Sequence, residues 1–194
     1  MTRGTLPASF YARPTSLVAR RLLGHILVSD IGGRRTAGRI VETEAYVGPD
    51  DPACHGYGAR RTRRNGSLFA APGTAYVYFT YGMHWCLNAV TESEDFPAAV
   101  LIRALEPLAG LEVMRRRRRG APDRELCSGP AKLCQALGIT GRQDGTSLVH
   151  GPVRILRAAV PHRGAIIATP RIGISRAADW PLRFVIKDSP WLSR

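Results

Sequence analysis

Apolar positions along the chain follow two rhythms, a helical spacing confined to short stretches and an alternation that covers most of the rest. Leu17 to Leu23 has helical spacing, with Thr15 and Ser16 as capping residues and Gly24 as the stop. His25 to Ser29 and Arg35 to Val47 read as strands joined through Ile31-Gly32-Gly33, a hairpin signal. Ala75 to Tyr81 is the most aromatic strand candidate, His84 to Val90 is its partner, and Val100 to Ala104 is a further strand. Pro107 opens a predicted helix with Leu108, Leu111 and Met114 on one side, and its end carries Arg115 to Arg119 against the helix dipole. Ser128-Gly129-Pro130 begins a second helix that runs through Leu137 and is closed by Gly138. Strands return at Val153 to Ala159, Ala165 to Ala168 and Leu182 to Lys187. This order predicts an α+β fold, a largely antiparallel curved sheet with surrounding helices, in one domain over residues 1–194.

A chain of 194 residues, 44% hydrophobic and 22% charged, is long enough for a real core and is not of disordered composition. No apolar run approaches the roughly 20 residues that span a bilayer, and no secretory signal opens the chain, so no membrane partner and a cytoplasmic location are expected. The formal net charge is +13, from 28 Lys and Arg against 15 Asp and Glu, which points to a nucleic-acid partner. Lys132 and Lys187 are the only lysines. A compositional bias of the genome would account for arginine over lysine, but not for the net excess. Cys54, Cys86, Cys127 and Cys134 form no C-x-x-C pair and have no histidine at finger spacing, so they read as small buried hydrophobes and no metal site is expected.

Against this basic background, Arg39-Ile40-Val41-Glu42-Thr43-Glu44-Ala45-Tyr46 stands out. Two carboxylates two apart on a strand project from the same face, beside Ile40 and Tyr46. A buried carboxylate there could activate water or transfer a proton; exposed acids paired with nearby arginines would give the same pattern. Strand parity does not separate Glu42 from Glu44.

The aromatic hairpin raises a second possibility. Tyr81-Gly82-Met83 falls where the chain must turn, so a ring and a thioether project from a tip, as residues that wedge between stacked bases do. A three-residue turn would pair Thr80 with His84, Tyr78 with Cys86 and Tyr76 with Asn88, placing Tyr78 and Asn88 on one face; a two-residue turn would separate them. Gly48 to Gly66 is a long polar loop containing Arg60, Arg61, Arg63 and Arg64, which are candidate phosphate contacts. Lys132, at the start of the second helix, is another, although ordinary capping explains the same residues. Arg115 to Arg119 reads as a solvated face. The motifs for nucleotide hydrolysis, dinucleotide binding and zinc hydrolysis do not occur.

Several segments together carry a resemblance: R-I-V-E-T-E-A-Y-V-G-P-D-D (39–51), P-G-T-A-Y-V-Y-F-T-Y-G-M (72–83), L-I-R-A-L-E-P-L (101–108) and D-R-E-L-C-S-G-P-A-K-L-C-Q-A-L (123–137), with P-L-R-F and S-P-W (181–184, 189–191) near the end. In this order they resemble the alkyladenine (3-methyladenine) DNA glycosylases, over nearly the whole chain. The resemblance implies a monomeric, cofactor-free enzyme that flips a damaged purine out of double-stranded DNA and hydrolyses its N-glycosidic bond, with no lyase step. It assigns the general base to Glu44 and positioning of the water to Arg103. It implies that Tyr46 and Tyr78 stack on the flipped base, that the backbones of Ala53 and His55 bond its edge, and that Asn88 crowds out the amino group of normal guanine. Tyr81, with Met83 beside it, would fill the gap in the duplex. His84-Trp85 departs from the bulky pair usual after the tip, and the segment before Asp123 is shorter than in vertebrate members. A non-catalytic basic DNA- or RNA-binding protein is the alternative that the charge alone would support.

Overall fold

The computed structural model describes residues 4–193. Its centre is an antiparallel sheet in the spatial order β3-β4-β5-β2-β1-β6. These strands are β1 (Ile26–Ser29), β2 (Thr36–Tyr46), β3 (Ala75–Thr80), β4 (His84–Thr91), β5 (Ala98–Ala109) and β6 (Val153–Leu156). β7 (Ile166–Thr169) pairs with β8 (Arg183–Ile186), and β8 pairs with β2. Helices α1 (Ala8–Tyr11), α2 (Thr15–Leu22), α3 (Leu111–Arg117) and α4 (Pro130–Leu137) complete the α+β fold expected from the element order. No helix among the described residues is long and apolar enough to cross a membrane.

β2 organises the sheet. β5 lies along one edge of it, while the other edge is shared: β1 pairs with residues 36 to 39, and β8 with Glu42, Thr43 and Glu44. The two acids therefore lie where β2 exchanges one neighbour for another. The β2–β5 register also shifts on both sides of Glu42, so that Val41 on β2 and Arg103 on β5 have no opposite number. Those irregularities bring Arg103 into the same space as the acids.

Two boundaries differ from the sequence expectation. Thr15 does not cap α2 from outside; it is the first helical residue, preceded by Pro14. Its backbone N–H and its hydroxyl both donate to Glu92 Oε1, at 2.6 and 2.8 Å, so a carboxylate 77 residues away satisfies the helix start. Pro107 does not open a helix either. It lies in β5 opposite Gly38, and α3 begins at Leu111 after Gly110, whose φ of +74° and close approach to the Arg35 carbonyl admit only glycine. β4 covers β5 only as far as Leu101, so Pro107 sits beyond that pairing, where a missing N–H is tolerated. As a result Leu108 is exposed and only Met114 of the expected apolar side is buried. Helix α1 was not anticipated.

The main core joins Leu22, Leu27, Ile40, Ile102, Leu105 and Leu133 with their neighbours under the sheet. A second, smaller cluster (Cys54, Leu68, Phe69, Tyr76, Val90 and Ala99) carries Tyr46 and Tyr78 on its surface. Those two rings thus rest on a support of their own at one end of the sheet.

Replacing Glu92 with alanine leaves the Thr15 N–H at the start of α2 without its acceptor, while the Thr15 hydroxyl keeps only its bond with the Thr91 hydroxyl, and is expected to cost about 1–2 kcal/mol. Urea unfolding monitored by far-ultraviolet dichroism should show the midpoint fall with an unchanged slope.

Candidate active site

Glu42 and Glu44 are both completely buried, and one guanidinium reaches both. Arg103 Nε donates to Glu42 Oε1 at 3.1 Å, and Arg103 Nη1 donates to Glu44 Oε2 at 3.2 Å. Burial by itself would pull the arginine down, but the charges of Glu44 and Glu42 outweigh it and hold Arg103 above its ordinary range. The surroundings of the two acids separate what parity could not. Glu42 Oε1 also accepts from Arg183 Nε at 2.7 Å and from the Ser193 hydroxyl at 2.7 Å, and Glu42 Oε2 accepts from the Ser193 backbone at 2.6 Å. With Arg103 that makes four accepted bonds, three on Oε1 and one on Oε2. Glu44 accepts three, from Arg103, from the Tyr46 hydroxyl at 3.0 Å and from the Ile172 N–H at 2.7 Å. Two of these fall on Oε2 and one on Oε1, so each acid keeps an oxygen with a single donor, and what separates the acids is where their donors come from.

The three donors to Glu44 all belong to residues that line a cavity of about 340 Å³. Tyr46, Ala53, His55, Tyr78, Asn88 and Arg103 all line it, with Tyr81 and His84 beside them. The hairpin register is the one a three-residue turn requires: Thr80 faces His84, Tyr78 faces Cys86 and Tyr76 faces Asn88. Asn88 Nδ2 donates to the Tyr76 carbonyl at 3.0 Å, which fixes the amide on the pocket side. The His55 ring stands edge-on to Tyr78 at 4.6 Å between centroids, and its Nδ1 is 2.8 Å from the Tyr76 hydroxyl. Burial, assisted by Arg64, pushes the His55 pKa down, so the ring is neutral near pH 7. Burial likewise drives the Tyr46 and Tyr78 hydroxyls up, so both rings carry their protons.

The loop after β2 is ordered by Asp51. Its carboxylate accepts from the Val47 and Ala53 N–H groups, at 3.2 and 3.0 Å, and forms a bidentate bridge to Arg171 at 2.5 and 2.8 Å. Both side chains of the bridge are fully buried. Asn65 Nδ2 donates to the His55 carbonyl at 2.8 Å. The Ala53 carbonyl and the His55 N–H have no hydrogen-bond partner among the described residues. Arg171 also donates to the Ala45 carbonyl at 3.0 Å, and its guanidinium carbon lies 4.8 Å from the centre of the Tyr46 ring. Sequence reading missed Arg171, Arg183 and Ser193, and gave Asp51 no role. Asp51 lay inside a quoted motif, but its partner is 120 residues away in an irregular segment with no periodicity.

At the hairpin tip, Tyr81 is 82% and Met83 is 68% exposed. Tyr81 has a φ of +50° and Gly82 of +67°, and the Met83 N–H closes the turn on the Thr80 carbonyl at 3.2 Å. A left-handed conformation is costly for a large side chain, so the tip holds that ring outward at a conformational expense. Arg60 is exposed. Arg61 pairs with Asp95 and lies over the Phe69 ring, Arg64 donates to the Phe79 carbonyl at 2.5 Å, and Lys132 is 3.4 Å from Ser128 Oγ and 3.6 Å from Glu125. The run after α3 is more than a solvated face: Arg115 bridges Asp123 and Glu112, Arg117 donates to the Ala136 carbonyl, and Arg118 donates to Gln135, tying α3 to α4. The four cysteines are free and buried, and burial pushes the Cys127 thiol up to about 12. No cluster of three potential metal ligands occurs among the described residues.

Residues 9–190 match a family described as Methylpurine-DNA glycosylase. A mouse protein named DNA-3-methyladenine glycosylase is 46% identical over 98% of this chain, which spans 61% of that relative's length. A human protein of the same name is 44% identical over 97% of the chain and 67% of its own length. A Methanoculleus marisnigri protein is 49% identical and matches end to end, with 98% of this chain and 99% of its own length covered.

His25 and His55 both have depressed pKa values in the folded chain, each with burial as the first cause. Unfolded histidines, titrating near about 6.5, then bind more protons than folded ones below that pH. Stability should therefore be full above about pH 6.5 and fall as the pH drops through the two folded values. Urea midpoints between pH 5 and pH 7.5 measure this, and His55→Gln should flatten part of the slope.

Proposed function

This chain belongs to the methylpurine-DNA glycosylase family, and we propose that it is a monomeric, cytoplasmic, metal-free hydrolase that starts base excision repair at damaged purines. The observation that carries the residue assignment is where the donors to the two buried acids come from. All three donors to Glu44 belong to the wall of the aromatic cavity, and its Oε1 accepts only the Ile172 N–H, whereas three of the four donors to Glu42 come from Arg183 and Ser193, outside that wall.

In the reaction proposed, a damaged purine swings out of the duplex at a cost of a few kcal/mol. The exposed Tyr81 ring, with Met83 beside it, occupies the gap. In the cavity the base lies among Tyr46, Tyr78 and His55, where stacking at roughly 1–3 kcal/mol per ring offsets the cost of extrusion. The Ala53 carbonyl and His55 N–H address the edge of the base, and Asn88 excludes the exocyclic amino group of guanine. Glu44 takes a proton from a water as that oxygen attacks the anomeric carbon, and Arg103 holds the carboxylate in place. The bond from that carbon to the base nitrogen breaks, and its electron pair leaves with the base. An alkylated purinium, such as 3-methyladenine or 7-methylguanine, thereby becomes neutral. Hypoxanthine or ethenoadenine must also gain a proton. The products are the free base and an abasic site, without strand cleavage. Arg60, Arg61, Arg64 and Lys132 would approach the phosphates; surface pairs such as that of Arg61 with Asp95 are worth little and can be exchanged for them.

Glu44→Gln should bind a lesion duplex like the parent and excise the base about 10²–10⁴ times more slowly in single-turnover assays. Normal excision by Glu44→Gln, together with a folded but inactive Glu42→Gln, would overturn the assignment. A parent protein that leaves no alkali-labile break at any damaged purine would favour the non-catalytic binding reading. Tyr81→Ala should weaken binding to lesion DNA by about tenfold or more while changing binding to undamaged duplex much less; equal losses in a paired titration would argue against a wedge.

A further inference from the structure

We propose that Arg171 sets how the pocket ranks cationic against neutral bases, acting as a positioning residue behind Tyr46; the inference rests on the glycosylase reading above. Tyr46 lines the cavity and Arg171 does not, yet the Arg171 guanidinium lies over the Tyr46 ring, 4.8 Å from its centre. One face of the ring thus meets the incoming base, and the other already carries a cation. The bidentate bridge to Asp51 and the bond to the Ala45 carbonyl hold that cation in place in a fully buried position.

The electron-rich face of an aromatic ring attracts a cation. Once one face is engaged by a guanidinium, a purinium on the other gains less from the ring and is also repelled through it, and low local polarity sustains that repulsion. A neutral base feels neither penalty, because its stacking rests on contact area and dispersion. Arg171 therefore reduces the electrostatic advantage of an alkylated, charged purine over an uncharged one such as hypoxanthine. Within the buried group the three arginines at 103, 171 and 183 face the three acids at 42, 44 and 51, so no excess negative charge restores that advantage. Selection then falls on shape and on the edge contacts.

The test is the ratio of single-turnover excision rates for 7-methylguanine and hypoxanthine in otherwise identical duplexes. The double variant Asp51→Asn with Arg171→Met removes both charges without stranding either, and should raise that ratio about three- to tenfold. Arg171→Lys keeps a positive charge behind the ring and should stay near the parental ratio even if both rates fall. An unchanged or lowered ratio in the folded double variant would overturn the inference, as would an equal change in Arg171→Lys, which would point to packing. Should thermal unfolding show that the double variant does not fold, Arg171→Gln, whose amide can still donate to Asp51, is read in the same way. A parent protein that releases neither base defeats the glycosylase reading itself, whereas release of both with a ratio insensitive to Arg171 defeats only this inference.

Discussion

A carboxylate withdrawn from water loses several kcal/mol of hydration, and the loss is tolerable only where cations and donors replace the missing solvent. Glu42, Glu44 and Asp51 are all withdrawn in this way, at one end of the sheet. The guanidinium groups of Arg103, Arg171 and Arg183 come from three separate parts of the chain to meet them. Much of the local architecture follows from that requirement. β5 bulges at Arg103, the loop after β2 folds around Asp51, and the irregular segment after β7 is drawn inward so that Arg171 and the Ile172 N–H can reach their acceptors. The aromatic cavity is what these converging segments enclose.

The two strand acids are the same residue type held in two different ways. Three of the four donors to Glu42 come from Arg183 and Ser193, which do not line the cavity. Glu44, two residues on and facing the same way, is held by fewer groups, each of which also forms part of the cavity wall. The small cluster under Tyr46 and Tyr78 keeps the rings apart from the main core, so the wall can be shaped without disturbing the packing beneath the rest of the sheet.

Strand alternation made much of this legible. It placed Glu42 and Glu44 on a common face, and it put Tyr78 and Asn88 on one face of the hairpin once a turn length was chosen, because a period of two leaves little freedom. Helix boundaries were less legible. Pro107 looks like a helix start, yet it belongs to a strand whose length is set by its pairing with β2. Thr15 looks like a cap, yet the acceptor for its N–H comes from Glu92, and no local pattern announces a partner 77 residues distant. The same holds for Arg171 and Ser193. Segments without periodicity take their positions from long-range charge pairing, and a single sequence carries no local trace of it.

The anchoring of Glu42 by Ser193, across a separation of 151 residues, has a consequence in time. Hairpins such as β1–β2 and β3–β4 close short loops and form early, whereas contacts between remote residues must await the docking of whole segments. Until the stretch from Arg171 to Ser193 settles, Glu42 lacks three of its four donors, Glu44 lacks the Ile172 N–H, and the cavity lacks the wall that includes Ile172. Completion of the cavity thus depends on the docking of that stretch, and a chain with its sheet assembled but that stretch undocked would be compact yet without that wall.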